Sequence, residues 1–168
     1  MKQKSNVRVG GRFTVTCRDA AGNLKWRDVA KNMVVDEGLD HLLDVLLVAG
    51  TPVSPWAIGL VSATPTIIAG DTAAVHAGWT EFVDYDELFR GVYVPVRTLE
   101  TVSNSASPVV FTIDTNASSI GGAFIAEDPA ISGLTGVLLC AAAFSAGNKG
   151  LDDNDTLTIQ YDFSAADA

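Results

Sequence analysis

The sequence has few of the side chains that metal centres and catalytic sites need. It contains two cysteines and two histidines, whereas a structural zinc site needs four good ligands at usable spacing. Cys17 and Cys140 lie far apart in separate apolar stretches, which favours buried free thiols over a disulfide. Neither His41 nor His76 belongs to a metal-binding or catalytic motif. No metal ion and no cofactor are therefore predicted.

Long apolar runs are also lacking. None approaches the ~20 apolar residues of a membrane-spanning helix, and residues 1–11 contain no apolar signal core. With 48% apolar and 18% charged residues, the composition excludes an intrinsically disordered chain. A length of 168 residues suffices for one domain with a real core. The sequence predicts a single domain that is made in the cytoplasm and has no membrane partner.

Positive charge is scarce and unevenly placed. The formal net charge is −9, and because an acidic surface repels phosphate backbones, no nucleic-acid partner is predicted. Eight of the eleven basic residues precede residue 32: Lys2, Lys4, Arg8, Arg12, Arg18, Lys25, Arg27 and Lys31. Two interpretations remain open: a basic face that docks onto an acidic partner, or an ordinary solvated edge.

The common catalytic signatures are absent as well. The sequence has no G-x-S-x-G elbow, no phosphate-binding G-x-x-x-x-G-K loop and no G-x-G-x-x-G motif. Residues 151–155 (LDDND) carry oxygen-bearing side chains but lack the glycine and glutamate of an EF-hand, so a turn is favoured over a cation site. Asp84, Asp86 and Glu87 near Arg90 are interpreted as a solvated or salt-bridged loop. The protein is not predicted to be an enzyme.

Short β segments dominate the pattern. Residues 12–19 alternate apolar and polar side chains, which is the period of a half-buried strand. A turn at residues 20–23 and a second alternating segment at residues 24–29 predict a hairpin. About nine short strands are predicted in all, separated by turn residues. We expect an antiparallel β-sandwich or jelly roll over residues 11–168, preceded by a flexible basic arm at residues 1–10.

Two of the β segments carry further signals. Residues 56–61 (WAIGLV) are almost continuously apolar, which is typical of a strand that is covered on both faces. Residues 91–97 (GVYVPVR) include Pro95, which has no N–H to donate to a neighbouring strand. This segment is therefore predicted to be an edge strand.

One packed amphipathic helix is predicted at about residues 36–49. Asp36 is the candidate N-cap, Gly50 is the candidate C-cap, and Pro52 prevents the helix from continuing. The apolar stripe of this helix consists of Leu39, Leu42, Leu43, Leu46 and Leu47. We expect the stripe to face the core of the sandwich; a helix that binds a partner is the alternative.

Several motifs follow one another in a distinctive order. They are WAIGL (56–60), GDT (70–72), HAGWTEF (76–82), VSNSASPVVFTID (102–114), GGAFIAED (121–128), GVLLCAAAFS (136–145) and DTLTIQYDFS (155–164). As a set they resemble the small virion proteins encoded among the head genes of tailed bacteriophages. Within that group they are most similar to capsid cement or decoration proteins, which coat a lattice of the HK97-type major capsid protein. None of the motifs carries a catalytic residue.

The resemblance implies a compact β domain on the capsid exterior of a virion. Its partners would be the major capsid protein and further copies of the same chain, in a dimer or trimer. The basic arm would reach across a seam between capsomers. This makes Lys2, Lys4, Arg8 and Arg12 the candidate capsid-contact residues.

A second function remains open from the sequence. The same motifs are compatible with a β-sandwich module of the phage tail or baseplate that binds a host-surface glycan. Such a module needs exposed aromatic rings beside polar loop residues. Trp79 with Glu81 and Asp84 is the candidate group.

Overall fold

The computed structural model describes residues 7–167 and is mainly β, with 46% strand and 8% helix. In chain order the elements are β1 (Val7–Arg18), β2 (Leu24–Lys31), β3 (Met33–Val34), α1 (Asp36–Leu43), a π-helical segment (Asp44–Val48), β4 (Trp56–Val61), β5 (Glu81–Phe82), β6 (Gly91–Tyr93), β7 (Val96–Thr98), β8 (Thr101–Ser103), β9 (Val109–Thr112), β10 (Ser118–Ile120), β11 (Gly122–Ala126), β12 (Leu138–Ala143), β13 (Lys149–Leu151) and β14 (Thr156–Asp167).

The strands form two six-stranded antiparallel sheets. The first sheet has the order β2-β1-β14-β8-β7, with β9 also paired to β14. The second has the order β3-β12-β11-β4-β5, with β6 also paired to β4, and β10 and β13 form a separate two-stranded ribbon. Buried side chains of both sheets share one core. The predicted antiparallel β-sandwich is confirmed.

The alternating pattern of β1 builds the inner face of the first sheet. Phe13, Val15 and Cys17 are buried, while the residues between them point away from the core because successive side chains of a strand alternate. β14 pairs with β1 along its whole length, from Val7 opposite Asp167 to Arg18 opposite Thr156. This long pairing makes β1 and β14 the rigid centre of the first sheet.

The N-terminal boundary of the domain differs from the prediction. Residues 7–10 belong to β1, whereas the sequence predicted that they are part of a flexible arm. Val7 and Val9 continue the alternation of β1 but are exposed, so burial does not hold these residues in the strand. β14 supplies their backbone hydrogen-bond partners, and such partners stabilise a strand irrespective of its side chains. Residues 1–6 of the predicted arm, including Lys2 and Lys4, lie outside the described residues.

The second sheet is covered on both faces. Ile58 and Leu60 of β4 face the core between the sheets, while Val61 and Phe124 lie in a second apolar cluster together with Trp79 from the long segment between β4 and β5. This explains the continuous apolar run of residues 56–61. The prediction of a strand buried on both faces is confirmed.

The helical region spans residues 36–48, close to the predicted 36–49, but its leucine stripe is divided. Leu42 packs against the core, whereas Leu43, Leu46 and Leu47 are exposed. α1 starts with Asp36 as its first helical residue after the N-cap Val35, and it ends at Leu43. Helix and sheet meet at Gly38, where an added Cβ would approach the Leu139 carbonyl oxygen of β12 too closely for any side chain. The buried side of the helix therefore runs through Val35, Gly38 and Leu42. The periodicity alone did not reveal this, because glycine carries no apolar signal.

The segment around Pro95 is two strands instead of one. β6 pairs with β4 in the second sheet, and β7 pairs with β8 at the edge of the first sheet. Pro95 lies in the link where the chain passes between the sheets. The predicted edge position holds for β7, and the absent N–H of Pro95 costs no ladder hydrogen bond there.

Candidate interaction surfaces and buried polar clusters

The two histidines pack against tryptophans. The ring of His41 meets Trp56 edge-on at 5.5 Å between centroids, and the ring of His76 stacks on Trp79 at 3.8 Å. His76 Nδ1 also lies 3.2 Å from the Trp79 carbonyl oxygen, as expected for a histidine that supports this turn. Within residues 7–167, no group of three or more His, Cys, Asp or Glu side chains is arranged to hold a metal ion.

Arg90 is the centre of a buried polar cluster. Its side chain is 4% exposed and pairs with Glu81, whose side chain is 6% exposed. Arg90 Nε and Nη2 donate to the two Glu81 carboxylate oxygens at 2.8 and 2.7 Å, and its Nη1 and Nη2 donate to the carbonyls of Asp128 and Gly133. The guanidinium also lies 4.9 Å from the ring centroid of Phe124. The cluster joins three separate chain segments.

One sequence interpretation of this region is wrong. The predicted glycan-binding group of Trp79, Glu81 and Asp84 is not brought together on the surface, because Trp79 is 7% exposed and Glu81 pairs with Arg90. Asp84 and Asp86 of the acidic loop are exposed, as the solvated alternative predicted. In that loop, Glu87 accepts the Thr112 main-chain N–H at 3.1 Å.

The acidic segment before β14 is a turn closed by Lys25. Lys25 Nζ lies 2.8 Å from Asp152 Oδ2 and also pairs with Asp155. The hydrogen bonds that the Lys25 ammonium group donates to both carboxylates raise the pKa of Lys25, and the bond from Lys25 lowers the pKa of Asp152. The Asp152 N–H donates to Asp155 Oδ2 at 2.8 Å. The predicted turn is confirmed, and β14 starts directly after it at Thr156.

Both cysteines are buried free thiols, as predicted. Burial, with a further contribution from Asp155, raises the pKa of Cys17 to about 12. Burial raises the pKa of Cys140 to about 11. Because the thiolate is the reactive form, neither side chain has the character of a nucleophile.

Asn104 was not among the residues that the sequence marked as candidates. It bridges a gap in the first sheet. The residue is fully buried and lies where β14 changes partner from β9 to β8. Its Nδ2 donates to the Ile159 carbonyl at 3.2 Å, and its Oδ1 accepts the Tyr161 N–H at 2.7 Å. The amide thus gives the Tyr161 N–H an acceptor at the point where β14 pairs with neither β9 nor β8. The VSNSASP motif therefore has a structural explanation.

Asp28 anchors the hairpin β1–β2 to the turn after β12. Its Oδ1 accepts the Ser145 N–H at 3.0 Å and the Ser145 hydroxyl at 2.9 Å, and Lys149 Nζ lies 3.1 Å from Oδ2. Burial alone would raise the pKa of this carboxyl, but the hydrogen bonds from Ser145 and Lys149 outweigh burial and lower the pKa. The charged form is therefore the one that the fold stabilises.

Replacing Asp28 with asparagine should make the free energy of unfolding less dependent on pH in the acidic range. The pKa of Asp28 in the folded protein lies below its ordinary value of 3.8, so the stabilisation is present above that value and is lost as the pH falls through the folded pKa. We expect Asp28→Asn to be less stable than the wild type at neutral pH by about 1–3 kcal/mol. The difference should shrink below about pH 4. Urea unfolding over a pH series measures it, and a constant difference at every pH would contradict the assignment.

The outward side of β1, β2 and β14 is basic. Register and alternation place five basic side chains there: Arg8, Arg12, Arg18, Arg27 and Lys31. All five residues are exposed, and we call this surface the basic face. Of the outward positions described on these three strands, Asp162 is the one with a carboxylate, and its Oδ2 lies 3.1 Å from Arg12 Nε. An acidic chain thus presents one rigid surface of opposite charge.

The basic face has two ends. At the arm end, Arg8, Arg12 and Lys31 line a shallow groove together with polar side chains of β8 and β14. At the turn end lie Arg18 and Arg27. The spacing of about 3.3 Å per residue puts Arg8 and Arg18 about 33 Å apart along β1. The structure therefore brings Arg8 and Arg12 of the predicted capsid contacts together on one surface.

A second unusual surface is the end of the helical region. Leu43, Leu46, Leu47 and Val48 are 55%, 76%, 73% and 72% exposed, and we call these four residues the leucine knob. The π-helical segment has no buried residue and ends at Ala49, which has a φ of 68°. Exposed apolar side chains that are contiguous mark interaction sites more often than isolated ones do. The knob is therefore an exposed apolar surface beside the sandwich.

Comparison with known proteins identifies no relative. No family model, no curated protein and no solved structure matches the chain. Within residues 7–167, no helix has the length and apolar character needed to cross a membrane.

Proposed function

We propose that the protein is a structural component of a tailed-phage virion, a cement protein that binds the outside of the capsid. The order of the sequence motifs suggests this class. The observation that carries the proposal is the basic face, because it presents five basic side chains and one carboxylate on a chain of negative net charge. Three paired strands hold that face rigid, and a rigid surface loses little conformational entropy when it docks.

The arm end of the basic face is the proposed contact with the major capsid protein. Arg8, Arg12 and Lys31 line its groove, and residues 1–6, which include Lys2 and Lys4, precede it in the chain. Complementary charge steers docking and fixes its orientation. A protein that binds the assembled lattice and not loose subunits stabilises the lattice by mass action. This would strengthen the seams between capsomers.

Reversing charge at the arm end should weaken attachment to capsids. We expect Arg8→Glu/Lys31→Glu to bind capsids stripped of the protein at least about tenfold more weakly than the wild type, since opposing charges become like charges. Wild-type binding should also fall with added salt, because exposed charge pairs are screened over about 10 Å at 0.1 M. Co-sedimentation across a salt series measures both effects.

The control is Arg97→Glu, which reverses one basic charge on the exposed edge strand β7. It should bind like the wild type. A second variant that lacks residues 2–6 leaves β1 intact and reports the contribution of Lys2 and Lys4. If the double variant binds as tightly as the wild type at every salt concentration, the arm end is not the docking surface.

A further inference from the structure

The leucine knob has a distinct chemical character. Its four apolar residues project from the fold, and Asp40 and Asp44 on the same helical region are also exposed. A surface that covers this knob must therefore be apolar at its centre, to remove the leucines from water. It must also be basic at its edge, because an acidic edge would place like charges together.

The turn end of the basic face has that character. Val29 and Val110 are 42% and 49% exposed on the outward side of the first sheet. In register with them on the same face lie Thr14, Thr16 and Thr158, together with Gln160 opposite Thr14. The methyl groups of valine and threonine give this centre an apolar surface.

Basic side chains border the same centre. Arg27 is opposite Thr16 in the pairing of β2 with β1, and Arg18 follows two residues later on the same face of β1. Both arginines are exposed. The acidic turn before β14 lies at the same end of the sheet, where Lys25 pairs with Asp152. Arg18 and Arg27 are therefore the basic side chains that make the turn end complementary in charge to the leucine knob.

We propose that the leucine knob of one molecule docks on the turn end of the basic face of a second copy. In this contact Asp40 and Asp44 face Arg18 and Arg27, and the leucines cover the valine and threonine side chains. The contact joins two different surfaces, so it is heterologous and generates a ring or an open chain of copies. It does not require a capsid, and it leaves the arm end free for another partner.

Two complementary variants test this contact. Leu46→Asp/Leu47→Asp removes the knob and keeps the face, while Arg18→Glu/Arg27→Glu reverses the face and keeps the knob. Sedimentation velocity at low ionic strength should show the wild type associating as concentration rises, and each variant alone remaining monomeric. An equimolar mixture of the two variants should form a complex of twice the monomer mass that grows no further, because one intact knob meets one intact face.

Matched controls separate the contact from general effects of charge and polarity. Leu88→Asp alters a leucine that is 82% exposed in another loop, and Arg97→Glu reverses a charge on β7. Both should associate like the wild type, and circular dichroism should show every variant folded. A wild type that stays monomeric at its highest soluble concentration would overturn the proposal. So would association that survives in either variant alone, or a mixture of the two variants that forms no complex.

Discussion

Replacing Arg90 with methionine should lower the free energy of unfolding by about 3–5 kcal/mol, because this leaves a buried charge without its partner. Methionine fills much of the same volume but offers no N–H groups. Glu81, whose side chain is 6% exposed, would then keep a carboxylate in a site with one remaining donor, the Ser132 N–H at 2.7 Å. The Asp128 and Gly133 carbonyls would lose their bonds as well. Equilibrium denaturation in urea measures the change.

Two further variants identify the cause of that loss. Arg97→Met removes an exposed arginine and should change stability by no more than about 0.5 kcal/mol. Arg90→Met/Glu81→Gln removes both charges and should recover part of the loss, since the unpaired carboxylate is the main penalty. If Arg90→Met unfolds at the wild-type midpoint, the ion pair does not hold the three segments together.

Replacing Asn104 with alanine should cost about 1–3 kcal/mol, because that is the cost of a buried polar group left without a partner. The substitution leaves the Tyr161 N–H without its acceptor and removes one donor from the Ile159 carbonyl, which is opposite Val109 of β9. Amide hydrogen exchange should also accelerate at Tyr161, whose N–H loses its acceptor. The neighbouring exposed variant Ser105→Ala should match the wild type in both measurements. Unchanged exchange at Tyr161 would show that another group satisfies β14.

Periodicity predicted the parts of the fold in which side chains alternate or run apolar without a break. Phe13, Val15 and Cys17 are buried as their spacing indicates, and the apolar run of residues 56–61 is a strand covered on both faces. These features depend on local pattern and composition, which a single sequence contains. The same local information places the turn before β14, where aspartate and asparagine bond to nearby backbone groups.

The features that periodicity missed depend on distant partners. Leu46 lies on the same apolar stripe as Leu42, yet the sheet approaches the helix at Gly38, so Leu42 packs against the core and Leu46 is exposed. Asp28 pairs with Lys149, which is remote in sequence. Glu81 pairs with Arg90, although other carboxylates lie closer to Arg90 along the chain. The basic face likewise could not be predicted without the register of β1 with β2. Only that register shows that the basic residues of the two strands lie on the same side of the sheet.

A density map of the purified virion tests the central claim most directly. The proposed cement function requires many copies of this sandwich, hundreds in each particle, on the outer surface of the capsid, with the arm end of the basic face toward the major capsid protein. A few copies confined to the tail or baseplate would contradict the cement function and support the tail module instead. A virion without density for the protein would contradict both.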